Sequence, residues 1–198
     1  MDIGANDGHW SESLMQWMER QHTPSPTLML IEPQKRFHRV LSALATRWNG
    51  TLLPAAAWIA ETNVTLHTPL ERTIAASVHA LHPSLGAINV TTPAFDLAAH
   101  MREHLGAAAA VLMKLDVEGS EYVLLPHLLE RRVLCSVDFL HVEWHPNLVA
   151  PAEGRELRCN LEQRLRLSCP GERVPSVLTH EDPAEPPNCT QTARKIEA

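Results

Sequence analysis

The chain begins with the residues MDIGANDG, and this opening constrains the fold more than any other stretch. An acidic residue at a strand end, followed by a glycine-containing turn and a helix, is typical of a cradle for a nucleotide cofactor. Gly4 and Gly8 allow the backbone to turn tightly and to approach a ligand, because glycine reaches dihedral angles that other residues avoid. The opening therefore predicts an α/β fold with a ligand site at its first turn.

The carboxylate of Asp2 decides which kind of cofactor suits this turn. A dinucleotide-binding loop reads GxGxxG and holds a pyrophosphate at a helix N-terminus, whereas this chain reads DxGxxxG. A carboxylate in place of the first glycine repels pyrophosphate and suits a ligand with positive charge. S-adenosylmethionine, which carries an ammonium and a sulfonium group, is such a ligand. A nicotinamide oxidoreductase is disfavoured for the same reason.

Helix and strand patterns alternate along most of the chain. Apolar periodicity and apolar runs predict helices over 10–22, 33–48, about 96–105 and 155–167, and strands over 28–31, 51–58, 63–67, 87–91, 111–115 and 137–144. A further helix after Glu121 is expected to be interrupted by Pro126. The alternation predicts a Rossmann-like, doubly wound, mostly parallel sheet with helices on both faces and a ligand at the carboxyl ends of its strands.

Glu32 is a candidate ligand for a ribose. It follows the apolar run 28–31 and lies 24 residues after Gly8, where a doubly wound fold places the acidic residue that binds ribose hydroxyls. A solvated carboxylate that simply follows a strand is the alternative interpretation.

Length and charge limit the classes of protein. The 198 residues suit one domain, expected over 1–169, and a tail over 170–198 with five prolines that is expected to be poorly ordered. A net charge of −6 without a Lys/Arg cluster argues against a nucleic-acid partner. No apolar run is long enough to span a membrane and no signal peptide is recognised, so a soluble, by default cytoplasmic, protein with a small-molecule or glycan partner is expected.

The four cysteines lack CxxC spacing, so a zinc site is not expected. Free buried thiols are favoured over disulfides. Four N-x-T triplets, beginning at Asn49, Asn63, Asn89 and Asn188, match the N-glycosylation acceptor pattern, but without a recognised signal peptide they carry no conclusion at this point.

A second polar motif follows the most apolar predicted strand. The residues KLDVEGSE over 114–121 place a lysine and three carboxylates at its carboxyl end, where such folds keep their chemistry. On the next predicted strand, His141, Glu143 and His145 alternate with apolar residues, so their side chains are expected to share one face.

These motifs make the chain resemble the FkbM-type family of S-adenosylmethionine-dependent methyltransferases. The family opens with D-I-G-A-N-x-G, carries K-x-D-x-E-G-x-E after a central strand and E-x-H after the next strand, and this chain has the matching residues at 2–8, 114–121 and 143–145. Residues 88–97 also look like the family's T-L-D segment. The resemblance covers roughly residues 1–146 and implies a class I methyltransferase fold. It also implies methylation of hydroxyl groups on sugars or small natural products. Members carry apolar residues before the opening motif, whereas only Met1 precedes Asp2 here, so the first strand is expected to be truncated.

The resemblance also implies residue roles. The expected cofactor contacts are Asp2, Gly4, Asn6 and Gly8 for the methionine part, Glu32 for the ribose, Trp58 and Ser77 beside the adenine, and Asp116 close to the reacting centre. The candidates for acceptor binding and proton removal are Asp116, Glu118, Glu143 and His145, in no decided order. No metal is expected.

Two rival functions stay open. A degenerate module that keeps the fold and binds the cofactor without turnover is the first. A metal-dependent hydrolase is the second, because His141, Glu143, His145 and Asp116 carry side chains that bind metals.

Overall fold

The computed structural model describes residues 1–24, 26–69, 76–78, 87–106, 108, 110–145, 151–170 and 174–181. The strands in chain order are β1 (Asp2–Ile3), β2 (Met29–Ile31), β3 (Thr51–Leu53), β4 (Ala56–Trp58), β5 (Thr62–Pro69), β6 (Ala87–Asp96), β7 (Leu112–Leu115), β8 (Phe139–Trp144) and β9 (Ser176–Glu181). The helices are α1 (His9–Arg20), α2 (Lys35–Arg47), α3 (Leu97–His104), α4 (Glu121–Glu130) and α5 (Pro151–Ser168), with a short 3₁₀ helix over Val133–Ser136.

Six strands form the main sheet in the order β3-β2-β1-β7-β8-β9, and every neighbouring pair in it is parallel. The chain winds outward from β1 in one direction and from β7 in the other. This confirms the predicted Rossmann-like, doubly wound α/β fold. The strand order reverses between β1 and β7, which is where such sheets bind their ligands.

Strand β1 is only two residues long but lies at the centre of the sheet. Asp2 is in register with Leu30 on one side and Lys114 on the other. Met1 extends the ladder, because its amino group donates to the Leu112 carbonyl at 2.7 Å and its carbonyl accepts from the Lys114 amide at 2.9 Å. The short strand is therefore held on both sides by backbone hydrogen bonds.

Helices cover both faces of the sheet, as the strand residues Leu30 and Ile31 illustrate. Leu30 packs with residues of α1 and α2, among them Met15 and Leu41. Ile31 belongs to the larger core that α3, α4 and α5 complete. Successive residues of a strand point to opposite faces, so one step along β2, from Leu30 to Ile31, passes from one core to the other.

The single strand predicted over 51–58 is wrong, because the structure divides it into β3 and β4 in different sheets. Pro54 stands between them, and proline lacks the N–H that a continuous ladder needs. Strands β4, β6 and β5 form a second sheet in that order, with β4 parallel and β5 antiparallel to β6. This small sheet forms one wall of the cleft described below.

Two further differences concern α4 and the end of the chain. Pro126 does not interrupt α4, which continues to Glu130. Its neighbours Leu124, Leu125 and Leu128 are fully buried, and such burial outweighs the roughly 3 kcal/mol that a helical proline costs. The sheet also extends beyond residue 169, because β9 pairs with β8; the later part of the tail, 182–198, lies outside the described residues.

The preference for free thiols is wrong for Cys135 and Cys169. They form a disulfide that ties the 3₁₀ helix to the end of α5 across 34 positions of sequence. Spacing alone did not indicate the pair, since the helix packing that brings the two residues together is a tertiary feature. In the part of the chain that is described, no helix has the length and apolar character to cross a membrane.

Candidate active site

An open cleft of about 580 Å³ lies at the carboxyl ends of β1, β2 and β7 and is closed on one side by the small sheet. Its position at the reversal of strand order is the one expected for a ligand site. The residues that line it are Ile3, Gly4, Asn6, Ile31, Glu32, Pro33, Gln34, Ala56, Ala57, Leu66, Ala76, Val78, Asp116, Val117, Glu118 and Ser120.

The turn after β1 needs glycine at position 4 for a steric reason. Gly4 has φ of +81°, and a Cβ there would lie 1.7 Å from the carbonyl oxygen of Asp116. The Gly4 and Ala5 amides both donate to the Ile31 carbonyl, at 3.0 and 3.1 Å. The turn is thus packed directly against β2 and the end of β7, and it brings Asn6 to the cleft.

Glu32 lies in the cleft wall at the end of β2, as its predicted role requires. Its Oε2 accepts from the Asn6 amide and its Oε1 from the Gln34 amide, both at 2.8 Å. Burial raises the pKa of Glu32, and these hydrogen bonds oppose that rise. An ionised carboxylate has about four acceptor positions, so two backbone bonds leave capacity for ligand hydroxyls.

Asp2 and Gly8 occupy structural positions next to the turn. The fully buried carboxylate of Asp2 accepts from the Ser11 hydroxyl at 2.6 Å and lies 3.8 Å from the Lys114 ammonium. Burial raises the pKa of Asp2, while Lys114 opposes the rise. Gly8 has φ of +83°, and a Cβ there would meet Leu41 and Leu44 of α2. Direct cofactor contact by either residue stays a prediction.

Trp58 and Ser77 were predicted beside the adenine. Trp58 is half-buried on β4, while the cleft wall on that strand comes from Ala56 and Ala57. Ser77 is buried, and its sequence neighbours Ala76 and Val78 line the cleft. Its Oγ donates to the Glu118 carbonyl at 2.5 Å. Ser77 therefore holds the backbone of a candidate catalytic residue.

The motif over 114–121 and the residue after β8 come together around one imidazole. The Nε2 of His145 lies 3.6 Å from Glu118 and 3.7 Å from Asp116, and its Nδ1 lies 3.0 Å from Oε1 of Glu121. Burial lowers the pKa of His145, but the hydrogen bond to Glu121 and the charges of Glu121, Glu118 and Asp116 outweigh burial and raise that pKa to about 9. The ring is therefore an imidazolium at neutral pH.

Glu118 is the cleft residue with the most unusual acidity. Its pKa is raised to about 7: burial raises it most, the charge of His145 opposes the rise, and the carboxylates of Asp116, Glu121 and Glu143 add to it. Its backbone has φ of +51°, an uncommon conformation for a residue other than glycine. Backbone strain of this kind clusters at functional sites.

Glu143 and His141 lie farther from the cleft, on β8. Both are half-buried and share the face of β8 opposite Leu140 and Val142, as predicted. His141 packs beside Trp10, with ring centroids 5.9 Å apart. His145 directly follows the end of β8, and its Nδ1 contacts Glu121.

Sequence reasoning assigned no role to Glu121, which anchors the cluster. Glu121 is fully buried and accepts from the Val117 and Gly119 amides at 2.8 and 2.9 Å. Ligand atoms of Asp116, Glu121 and His145 lie within 4.8 Å of one another, a spacing that a metal ion could also use. The last glutamate of the motif was the available signal, but only the fold shows that it is fully buried and is not among the residues that line the cleft.

Comparison with known proteins agrees with the motifs. The model of the family described as the methyltransferase FkbM domain matches residues 2–163. No curated protein matches the chain. Among solved structures, the crystal structure of Methyltransferase FkbM from Methylobacillus flagellatus KT is similar at 17% identity and a TM-score of 0.39, over 66% of this chain and 28% of that one. This chain therefore spans under a third of that protein. The family match runs from β1 into α5 and covers more than half of the chain. The chain therefore belongs to the FkbM methyltransferase family.

Proposed function

We propose that this chain transfers a methyl group from S-adenosylmethionine to a hydroxyl group of a sugar or small natural product. The observation that carries the proposal is one cleft lined by both Glu32, the proposed ribose ligand, and Glu118, an acid with a pKa of about 7. Methylation of a hydroxyl needs a bound cofactor and is accelerated by a group that accepts the hydroxyl proton, and these two carboxylates are proposed for those two tasks.

The residues present suit S-adenosylmethionine. Glu32 retains acceptor capacity for the ribose hydroxyls, beside apolar Ile31, Ala57 and Leu66 that suit a flat base. Asp116, which also pairs with the Lys114 ammonium, and Glu118 place carboxylate oxygens in the cleft for the ammonium and sulfonium groups. When bound, the cofactor supplies an electrophilic methyl group, and the protein's task is to align an acceptor oxygen with it, an effect worth up to ~7–11 kcal/mol.

Glu118 is the proposed general base. A base is most effective when its pKa lies near the working pH, and Glu118 meets that condition while lining the cleft. His145 does not suit the role, because an imidazolium with a pKa of about 9 already carries the proton. Its charge instead favours the carboxylate form of Glu118 at 3.6 Å.

Glu121 and Ser77 are proposed as positioning residues. Glu121 fixes the imidazole from the buried side through Nδ1, which leaves Nε2 directed at Asp116 and Glu118. Ser77 binds the Glu118 carbonyl and stabilises the left-handed turn that presents the Glu118 carboxylate. Together they hold the base in one place without entering the reaction.

Transfer of a labelled methyl group tests the proposal. The chain is incubated with methyl-labelled S-adenosylmethionine and a panel of sugars and phenolic or aliphatic alcohols, and product label is counted. We expect label in at least one hydroxyl acceptor and none in amine or thiol analogues of it. Label appearing only in the amine or thiol analogues would exclude the hydroxyl specificity.

The same measurement separates the two rivals. A binding module would take up S-adenosylhomocysteine but transfer no label to any acceptor. A hydrolase would use the spacing of Asp116, Glu121 and His145 and respond to added divalent metal. Glu121 already accepts two backbone hydrogen bonds and one from His145, so the cluster has a structural explanation without metal, and we favour methyl transfer.

A further inference from the structure

The chain carries an unusual number of N-glycosylation acceptor triplets. Four of its seven asparagines stand two residues before a threonine, none with proline between. Serine and threonine make up 23 of the 198 residues, which would place about one such triplet by chance. Four triplets exceed that number. Where such a triplet is glycosylated, its asparagine lies on the surface of a secreted protein, so the exposure of these asparagines is the first thing to examine.

Two of the triplets lie side by side on the small sheet. Asn63 and Thr65 belong to β5, and Asn89 and Thr91 belong to β6; all four are exposed. Thr65 is in register with Thr91, and Asn89 is in register with His67. The four side chains therefore share one face of the sheet, where the His67 ring contacts Asn89 at 2.8 Å.

That face is directed away from the cleft. Leu66 on the same strand lines the cleft and is buried, and neighbouring residues of a strand point to opposite sides. Asn89 is in register with His67, which lies four residues after Asn63 on β5. The two asparagine side chains are therefore separated by roughly 14 Å along the strands. Two bulky groups can be carried there without covering the cleft.

The cysteines give an independent indication of the compartment. Cys135 and Cys169 are joined in a disulfide, and Cys159 is disulfide-bonded as well. Structural disulfides persist in oxidising compartments and are rare in the cytosol. In eukaryotic cells the lumen of the secretory pathway both oxidises cysteines and attaches asparagine-linked glycans.

We propose that Asn63 and Asn89 carry N-linked glycans and that the chain matures in an oxidising, glycosylating compartment. This inference concerns modification and location and does not depend on methyl transfer. It differs from the default expectation of a cytoplasmic protein, and the experiments below decide between the two.

Mass spectrometry of the protein isolated from its own cells is the test. After digestion with peptide-N-glycosidase in ¹⁸O-labelled water, we expect Asn63 and Asn89 to be recovered as labelled aspartate, and Cys135 and Cys169 to resist thiol alkylation until a reductant is added. Unmodified asparagine at both positions, or freely alkylated cysteines, would overturn the proposal.

Matched threonine variants test the acceptor sites themselves. The chain is expressed in eukaryotic cells behind a cleavable secretion signal, and its electrophoretic mobility is compared before and after the glycosidase. We expect Thr65→Val and Thr91→Val each to abolish the mobility shift that one glycan produces, while Thr65→Ser and Thr91→Ser retain that shift. Valine keeps the β-branched shape that strands favour, and a thermal melt checks folding. A wild-type chain whose mobility the glycosidase does not change would contradict the assignment.

Discussion

The imidazole of His145 is anchored by Glu121, whose Oε1 lies 3.0 Å from Nδ1 of the ring. Glu121 has no exposed surface, and its carboxylate also accepts from the Val117 and Gly119 amides. One buried side chain thus fixes both the loop after β7 and the ring that faces Glu118. The acidity of the candidate base depends on this arrangement.

Glu121→Gln should therefore disturb the loop and the ring together. The amide nitrogen of glutamine must face one of the backbone N–H donors, which leaves a buried donor unsatisfied and costs roughly 1–3 kcal/mol in the free energy of unfolding. Loss of the charge should also lower the pKa of His145 from about 9. Denaturant titration and NMR titration of the ring measure the two effects. Exposed Glu130→Gln is the control and should change neither; an unchanged His145 pKa in Glu121→Gln would contradict the anchoring role.

His145 should make stability depend on pH in a defined direction. Its pKa is raised from 6.5 to about 9 in the folded chain, so the folded state binds its proton more tightly than the unfolded chain does. The resulting stabilisation is complete below pH 6.5 and is lost as the pH rises through about 9. The difference in unfolding free energy between wild type and His145→Asn should shrink across this range. The exposed His22→Asn variant provides the control, and a difference that grows with pH would show the opposite sign.

Gly4→Ala should be among the most destabilising single changes. The added Cβ would lie 1.7 Å from the Asp116 carbonyl oxygen, at a φ of +81°, and backbone strain alone costs about 1–3 kcal/mol. Gly106→Ala is the matched control, because its nearest contact would be 4.0 Å away. Midpoints of denaturant unfolding compare the two variants. Equal midpoints would mean that the turn after β1 differs from the one described.

Glu118→Gln tests the proposed base once an acceptor is found. In the wild type, kcat should rise with pH through about 7 as Glu118 ionises. The variant should lose tenfold or more in kcat, toward the low end of general-base effects of ~10²–10⁴-fold, and should lose that pH step. Affinity for S-adenosylhomocysteine should stay within a few-fold. If the variant keeps both the rate and the pH step, Glu118 is not the general base, and Asp116→Asn is the next variant to examine.

The sequence predicted the parts of this protein that depend on local pattern. The opening turn, Glu32 at the end of β2 and the motif over 114–121 were placed by periodicity and glycine chemistry, and the parallel sheet followed from the alternation of elements. Tertiary packing decided the rest. Helix α4 continues through Pro126 because the leucines around it are buried. Cys135 forms its disulfide with Cys169 because helices that are distant in sequence pack together. The roles of Glu118 and His145 could not be ordered from sequence, since their acidities depend on four carboxylates brought together by the fold.

Calorimetric titration of the chain with S-adenosylhomocysteine, and separately with NAD, tests the central claim most directly. We expect S-adenosylhomocysteine to bind the more tightly. Glu32→Ala should weaken its binding by the roughly 1.5–3 kcal/mol typical of hydrogen bonds to a charged group, about ten- to a hundred-fold, whereas exposed Glu19→Ala should leave it unchanged. Tighter binding of NAD, or equal affinities in the wild type and Glu32→Ala, would contradict the proposed cofactor site.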